Sequence, residues 1–184
     1  MKIVIVYATT DGQTRKIARF AADRLADAGH AVELLTAADA EGLDLARFAG
    51  AVLAGSLHGG GFQKDLAEFA GAQTTGLAAV PTLFLPVSLS AAGTDAQDWA
   101  GLHKCVADFL AQTKWAPTQV VHVAGAFRFS EYDFFRAWAM RRIADQKGEA
   151  MDPSGDREYT DWAALGAALD GFLAGIDVKA LAAT

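Results

Sequence analysis

The sequence predicts an α/β fold: a doubly wound sandwich around a five-stranded parallel sheet in the order 2-1-3-4-5. Three observations lead there. Short apolar runs rich in β-branched residues alternate with segments whose apolar residues recur at helical spacing, the pattern of successive βαβ units. The runs are nearly unbroken, as suits strands covered on both faces. Of the four segments that start at Ala8, Gly55, Ser88 and Gly125, three are rich in glycine, serine or threonine. In open parallel sheets such segments meet outside the carboxyl ends of the strands, where ligands bind.

Lys2 to Tyr7 is the first strand, and Ile17, Ala18, Ala21 and Leu25 mark the helix after it. Gly29-His30 stops that helix, and Ala31 to Leu35 is the second strand. Asp39 to Phe48 reads as a short acidic connection or helix. Ala51 to Ala54 is a third buried strand, followed by the glycine-rich stretch Gly55 to Gly61 and a helix over Phe62 to Ala70. Val80 to Val87 is the fourth strand, with Pro81 and Pro86 expected to weaken its ends because proline cannot donate to the ladder. A small-residue loop over Ser88 to Gly93 leads to a helix over Thr94 to Gln112. The fifth strand is Gln119 to Ala124. The last helix starts near Thr160-Asp161-Trp162 and runs through Leu165, Leu169 and Leu173.

The junction of the first strand and helix is Thr9-Thr10-Asp11-Gly12-Gln13-Thr14. The first N–H groups of a helix have no partner in the helix, and its dipole places partial positive charge there. The threonines add hydroxyl donors, and Gly12 permits close approach or positive φ. A phosphate suits such a site without a lysine. The loop lacks the Gly-Lys-Ser/Thr of a P-loop and the spaced glycines of a dinucleotide fingerprint. The competing reading is an ordinary helix start capped by Asp11.

One domain of 184 residues, 52% hydrophobic and 21% charged, is long enough for a substantial core and excludes a disordered chain. A net charge of −6 argues against non-specific nucleic-acid binding. Cys105 is the single cysteine, so no internal disulfide or multi-cysteine metal site is expected, and a reducing, cytoplasmic compartment fits. No apolar run reaches the roughly 18 residues of a membrane span.

The loop from Thr9 to Thr14 resembles the phosphate loop of flavodoxins, Ser/Thr-x-Thr-Gly-Asn/Gln-Thr, with Asp11 where a hydroxyl is common. The resemblance implies that Thr9, Thr10, Asp11, Gly12, Gln13 and Thr14 hold the phosphate of FMN, with the Asp11 carboxylate turned away from it. It also implies that Ser56, Leu57, His58, Gly59 and Gly60, with Ser88, Leu89 and Ser90, flank the flavin ring. The second loop carries no aromatic residue beyond His58, so Phe62, Trp99 or Tyr132 is left to cover the ring.

A long connection over residues 127–158 precedes the last helix. Connections of that length usually have structure or purpose. Tyr132 to Lys147 can form a helix, and from Phe134 onward it holds four basic residues and one acidic. It reads as a flank-packed helix, as a lid or docking surface whose arginines pair with substrate carboxylates, or as a peripheral membrane contact.

The whole chain is similar to the bacterial menaquinone-dependent protoporphyrinogen oxidases, flavodoxin-like enzymes with a long insert before the last helix. The pieces that carry this are Asp11-Gly12-Gln13-Thr14, Trp115-x-Pro117, Ala124-Gly125-Ala126-x-Arg128-Phe129 and Tyr159-Thr160-Asp161-Trp162. The resemblance implies FMN, oxidation of a porphyrinogen and reduction of a quinone, with the inner membrane surface nearby. The family commonly has arginine and tyrosine where His58 and Gly59 stand, and a more basic insert. Arg128, His58 and Tyr132 are the candidates for substrate contact or catalysis, the first two against plain readings as a surface arginine and a loop histidine. Two other functions fit the same fold: an electron carrier or small quinone reductase, and a flavin-free binding module.

Overall fold

The computed structural model describes residues 1–127 and 157–182. Its elements are β1 (Lys2–Ala8), α1 (Gln13–Asp27), β2 (Ala31–Thr36), β3 (Gly50–Ser56), α2 (Lys64–Ala72), α3 (Thr74–Ala79), β4 (Thr82–Ser88) and α4 (Ala96–Thr113). After them come β5 (Gln119–Val120), β6 (Val123–Ala124), β7 (Ala126–Phe127), β8 (Arg157–Glu158) and α5 (Trp162–Ala182). The main sheet runs β2-β1-β3-β4-β5, parallel throughout, and β6 pairs with β4 beyond β5. This is the expected order, with the fifth strand in two pieces.

Side chains of a strand alternate between faces, and both faces are apolar here. Ile3, Ile5 and Tyr7 of β1 join Ile17 and Leu25 of α1 and Leu169 and Phe172 of α5 in one buried cluster. Val4 and Val6 join Leu66 and Phe69 of α2, and Val106 and Phe109 of α4, in the other. Helices on both faces give three layers and leave only the strand ends open for a site.

Pro81 lies outside β4, as expected, but Pro86 lies inside it, in register with Gly55. The peptide groups of Phe84 and Ser88 face the last strand: Phe84 O accepts from Val121 N at 2.9 Å and Ser88 O from Gly125 N at 3.0 Å. By the same alternation Pro86 faces that strand too and has no N–H to offer. The ladder fails at that register. Val121 and His122 fall between β5 and β6, which splits the predicted Gln119–Ala124 strand.

Other differences are local. Asp39 to Phe48 holds two short 3-10 turns, Ala38–Ala40 and Leu45–Arg47. The helix after β3 starts at Lys64 rather than Phe62, and α3 was not expected. The last helix continues to Ala182. Gly55 has a packing reason: a Cβ there would come within 2.4 Å of Leu66 and 3.0 Å of Phe62, so glycine lets α2 lie close on β3. The predicted insert is bracketed by a short antiparallel ladder, Ala126 opposite Glu158 and Phe127 opposite Arg157. No helix among the described residues is long and apolar enough to cross a membrane.

Candidate functional site

Three loops leave the carboxyl ends of β1, β3 and β4. In the first, Gly12 takes φ 86°, a left-handed conformation that glycine adopts at little cost, and it occupies the N-cap of α1. Among the described residues no side chain caps this helix, so its first N–H groups face outward. The Asp11 cap that competed with the anion reading is therefore not formed. The Asp11 carboxylate instead lies 3.7 Å from Nδ1 of His58 in the second loop.

The hydroxyls of this loop have distinct roles. Thr9 Oγ1 accepts from Gly12 N at 3.0 Å and closes the turn. Thr14 is fully buried and its hydroxyl has no hydrogen-bond partner among the described residues. Buried polar groups are usually paired, so an orphan hydroxyl in the first turn of an uncapped helix fits a missing acceptor such as a phosphate oxygen. Gln13 Nε2 donates to Thr160 Oγ1 at 2.9 Å, and Thr160 Oγ1 donates to Ala124 O at 2.7 Å. The Gln13 side chain thus braces the loop against the start of α5.

The second loop is a tight turn. His58 N donates to Gly61 O at 2.9 Å and Gly61 N to His58 O at 3.1 Å. Gly59 and Gly60 between them have φ of 56° and 86°. Positive φ at both central positions is the primed turn that favours glycine twice. Leu57 N donates to Val87 O at 2.8 Å, which ties this loop to the end of β4. In the third loop Ser88 Oγ accepts from Ala91 N at 3.2 Å, and Leu89 O accepts from Ala92 N at 3.0 Å. Ser90 O accepts from Gly93 N, and Gly93 O accepts from Trp99 Nε1 at 2.7 Å. These bonds fix the loop's own backbone.

A second network roots the insert. Glu158 pairs with Lys16 of α1 and accepts from Trp162 Nε1 at 2.7 Å. The Lys16 ammonium bonded to it holds the Glu158 carboxyl below its usual range; the Trp162 and Gln13 side chains act in the same direction, and partial burial opposes them. Tyr159 N donates to Gly125 O at 3.0 Å. The Tyr159-Thr160-Asp161-Trp162 motif therefore lies beside the first loop, with Asp161 capping α5 through Ala164 N at 2.9 Å.

The structure brings Thr9 to Thr14, Ser56 to Gly60 and Ser88 to Ser90 to one edge of the sheet. His58 stands in this group, beside Asp11. Arg128 and Tyr132 lie outside the described residues. Phe62 packs into the core with ring centroids 5.3 Å from Phe84 and 4.9 Å from Phe109, so it does not cover a ring in the site. Trp99 packs against His103 and His122. Burial, with His103 adding to it, lowers the pKa of His122. One contributor was not anticipated. Gln63 Nε2 donates to Thr10 Oγ1 at 3.0 Å and to Ser56 Oγ, joining the first two loops. The bond to Ser56 spans 7 residues, but the one that joins the first loop spans 53, which no local pattern marks.

The flavodoxin domain model matches residues 4–154. The chain belongs to the flavodoxin domain family. A flavin is thus the ligand class of this flavodoxin-domain chain. It is 26% identical over 162 residues to protoporphyrinogen IX dehydrogenase (quinone) of Escherichia coli K12, covering 88% of this chain and 89% of that one. It is 30% identical over 165 residues to the protein of the same name from Leishmania major, covering 89% and 71%. Among solved structures, a flavodoxin variant from Pseudomonas aeruginosa superposes with a TM-score of 0.51 at 18% identity, covering 80% of this chain and all of that one. A short-chain flavodoxin associated with a bacterial microcompartment gives 0.51 at 13% identity, covering 66% and 84%. These two likenesses show the shared fold.

Proposed function

We propose that this chain is an FMN-dependent oxidoreductase that oxidises a porphyrinogen and passes the electrons to a quinone. The observation that carries the cofactor is the first loop. It combines a helix N-terminus and a buried Thr14 hydroxyl that have no side-chain partner among the described residues with a left-handed Gly12. Thr9, Thr10, Gln13 and Thr14 would hold the phosphate, with Ser56 to Gly60 and Ser88 to Ser90 beside the ring. FMN bound there would supply the redox chemistry. The chain's own residues bind it and orient it: backbone N–H groups and hydroxyls take the anion, and Gln63, bonded to Thr10 and Ser56, joins the second loop to the first. The substrate class rests on the two relatives named protoporphyrinogen IX dehydrogenase, which this chain matches along most of its length.

Asp11 is the observation that favours a flavin-free module, since a carboxylate on this loop opposes a dianion. The Asp11 carboxylate lies 3.7 Å from Nδ1 of His58 in the second loop, an arrangement that fits the flavin reading. The test is the absorbance of the purified protein, with the released chromophore identified by chromatography. Stoichiometric FMN is expected. Protoporphyrinogen IX should then yield fluorescent porphyrin at a rate that depends on added quinone. A colourless protein that takes up no FMN on titration would end the cofactor reading. An FMN-loaded protein that leaves the porphyrinogen untouched, but reduces quinone or exchanges electrons with a partner protein, would make it a carrier or quinone reductase.

A further inference from the structure

We infer that Gln63 is a positioning residue of the flavin site: its amide sets the direction of the Thr10 and Ser56 hydroxyls so that both keep their protons for the bound flavin nucleotide. The inference rests on the flavin reading above. Gln63 occupies the N-cap of α2 but makes no cap bond to its own helix. Its side chain reaches instead to two other loops, donating from Nε2 to Thr10 Oγ1 at 3.0 Å and to Ser56 Oγ. A hydroxyl has one proton and two lone pairs. With a lone pair of each taken by Gln63, the two O–H bonds point away from the amide. Neither hydroxyl makes another hydrogen bond among the described residues. Both protons are therefore available at the strand ends, where the phosphate loop and the second loop meet.

The other end of the amide supports a ligand. Gln63 Oε1 is buried with no partner among the described residues. An unsatisfied buried acceptor costs stability, and such groups persist where binding completes them. A flavin nucleotide brings acceptors for the two hydroxyls and, in its ribityl hydroxyls, donors for Oε1. One amide would thus fix the gap between the anion loop and the loop beside the ring, and orient the donors on both.

The test is titration of ligand-free protein with FMN and with riboflavin, followed by quenching of flavin fluorescence, together with the melting temperature of the ligand-free protein. Gln63→Met keeps the length and volume of the side chain and removes the amide. FMN affinity should fall roughly 10- to 30-fold, from two hydrogen bonds of ordinary net strength. Riboflavin affinity should fall less, because Thr10 belongs to the anion loop. The melting temperature should move little, because the substitution also removes the buried Oε1 that has no partner among the described residues. In a Thr10→Val, Ser56→Ala background, Gln63→Met should add almost nothing, because the groups it directs are gone. Two results would overturn the inference: Gln63→Met binding FMN within twofold of wild type, or the same loss of affinity in the doubly substituted background, which would make Gln63 a packing residue. Wild-type protein that binds neither flavin would overturn the flavin reading and this inference with it.

Discussion

Replacing Thr160 by valine tests the brace between the first loop and the insert's return. Thr160 is 9% exposed, accepts from Gln13 Nε2 at 2.9 Å and donates to Ala124 O at 2.7 Å. Valine keeps the branched shape and removes both bonds. The Gln13 amide, being half-buried, can turn toward water, whereas the Ala124 carbonyl loses a partner beside β6. Two bonds at about 0.5–1.5 kcal/mol each, plus part of a desolvation penalty, give a cost of about 2–3 kcal/mol. For a chain of this size that corresponds to a fall of about 5–10 °C in Tm. The assay is thermal and urea unfolding of ligand-free protein followed by circular dichroism. Thr160→Ser keeps the hydroxyl and should recover most of the loss. A valine variant as stable as wild type, or a serine variant as unstable as valine, would refute the brace.

Other expectations follow from the same structure. Thr14→Val removes a buried hydroxyl that has no partner among the described residues, so ligand-free stability should hold or rise slightly while FMN affinity drops on the order of fivefold, read by flavin fluorescence. Asp11→Asn should tighten FMN binding by a factor of about two to five at low salt, with the gain shrinking as salt is added; unchanged affinity at every ionic strength would count against a nearby phosphate. Gly55→Ala forces a Cβ to within 2.4 Å of buried Leu66 and should cost about 1–3 kcal/mol in urea unfolding. His122 has a lowered pKa, so the unfolded chain binds its proton more readily. Its contribution is complete above the ordinary value of 6.5 and is lost as pH falls from there through the depressed value; His122→Phe should flatten Tm against pH in that window. Glu158, also depressed, contributes above the usual 4.5 and loses that contribution as pH drops through its lower folded value, a loss that Lys16→Met should reduce, since Lys16 is the largest of the groups that lower it.

What was legible in the sequence had short-range causes. The β1 run, the loop at Thr9–Thr14 and the periodicity of α1 lie within one stretch of chain, and their placement matched the structure to within a residue or two. Alternation implied a parallel sheet, and five strands suited the doubly wound order that the structure has. The helix α3 spans six residues, too few for a period to show, and its one fully buried anchor, Leu77, has no local signature. The split of the last strand depended on which way the Pro86 peptide group faces, a matter of parity that composition cannot give. The loops of the site could be read as loops. Gln63 and Thr160 could not be read as parts of it, because the bonds that tie them to the first loop span 53 and 147 residues. Asp11 looked like a cap because its residue type favours one, yet Gly12 took that place and freed the carboxylate to face His58.

The gap that Pro86 makes beside Val121 and His122 has a consequence for solubility. A sheet's outermost strand is a template on which a stray extended segment can add, and long continuous templates seed fibrillar growth. Here that border consists of two-residue stubs, Gln119–Val120 and Val123–Ala124, out of reach of each other's ladder. At the opposite border the Lys2–Glu33 ion pair places charge next to β2. Substituting a β-branched residue for Pro86 would mend the ladder, and with it would come a greater tendency of the protein to self-associate on heating.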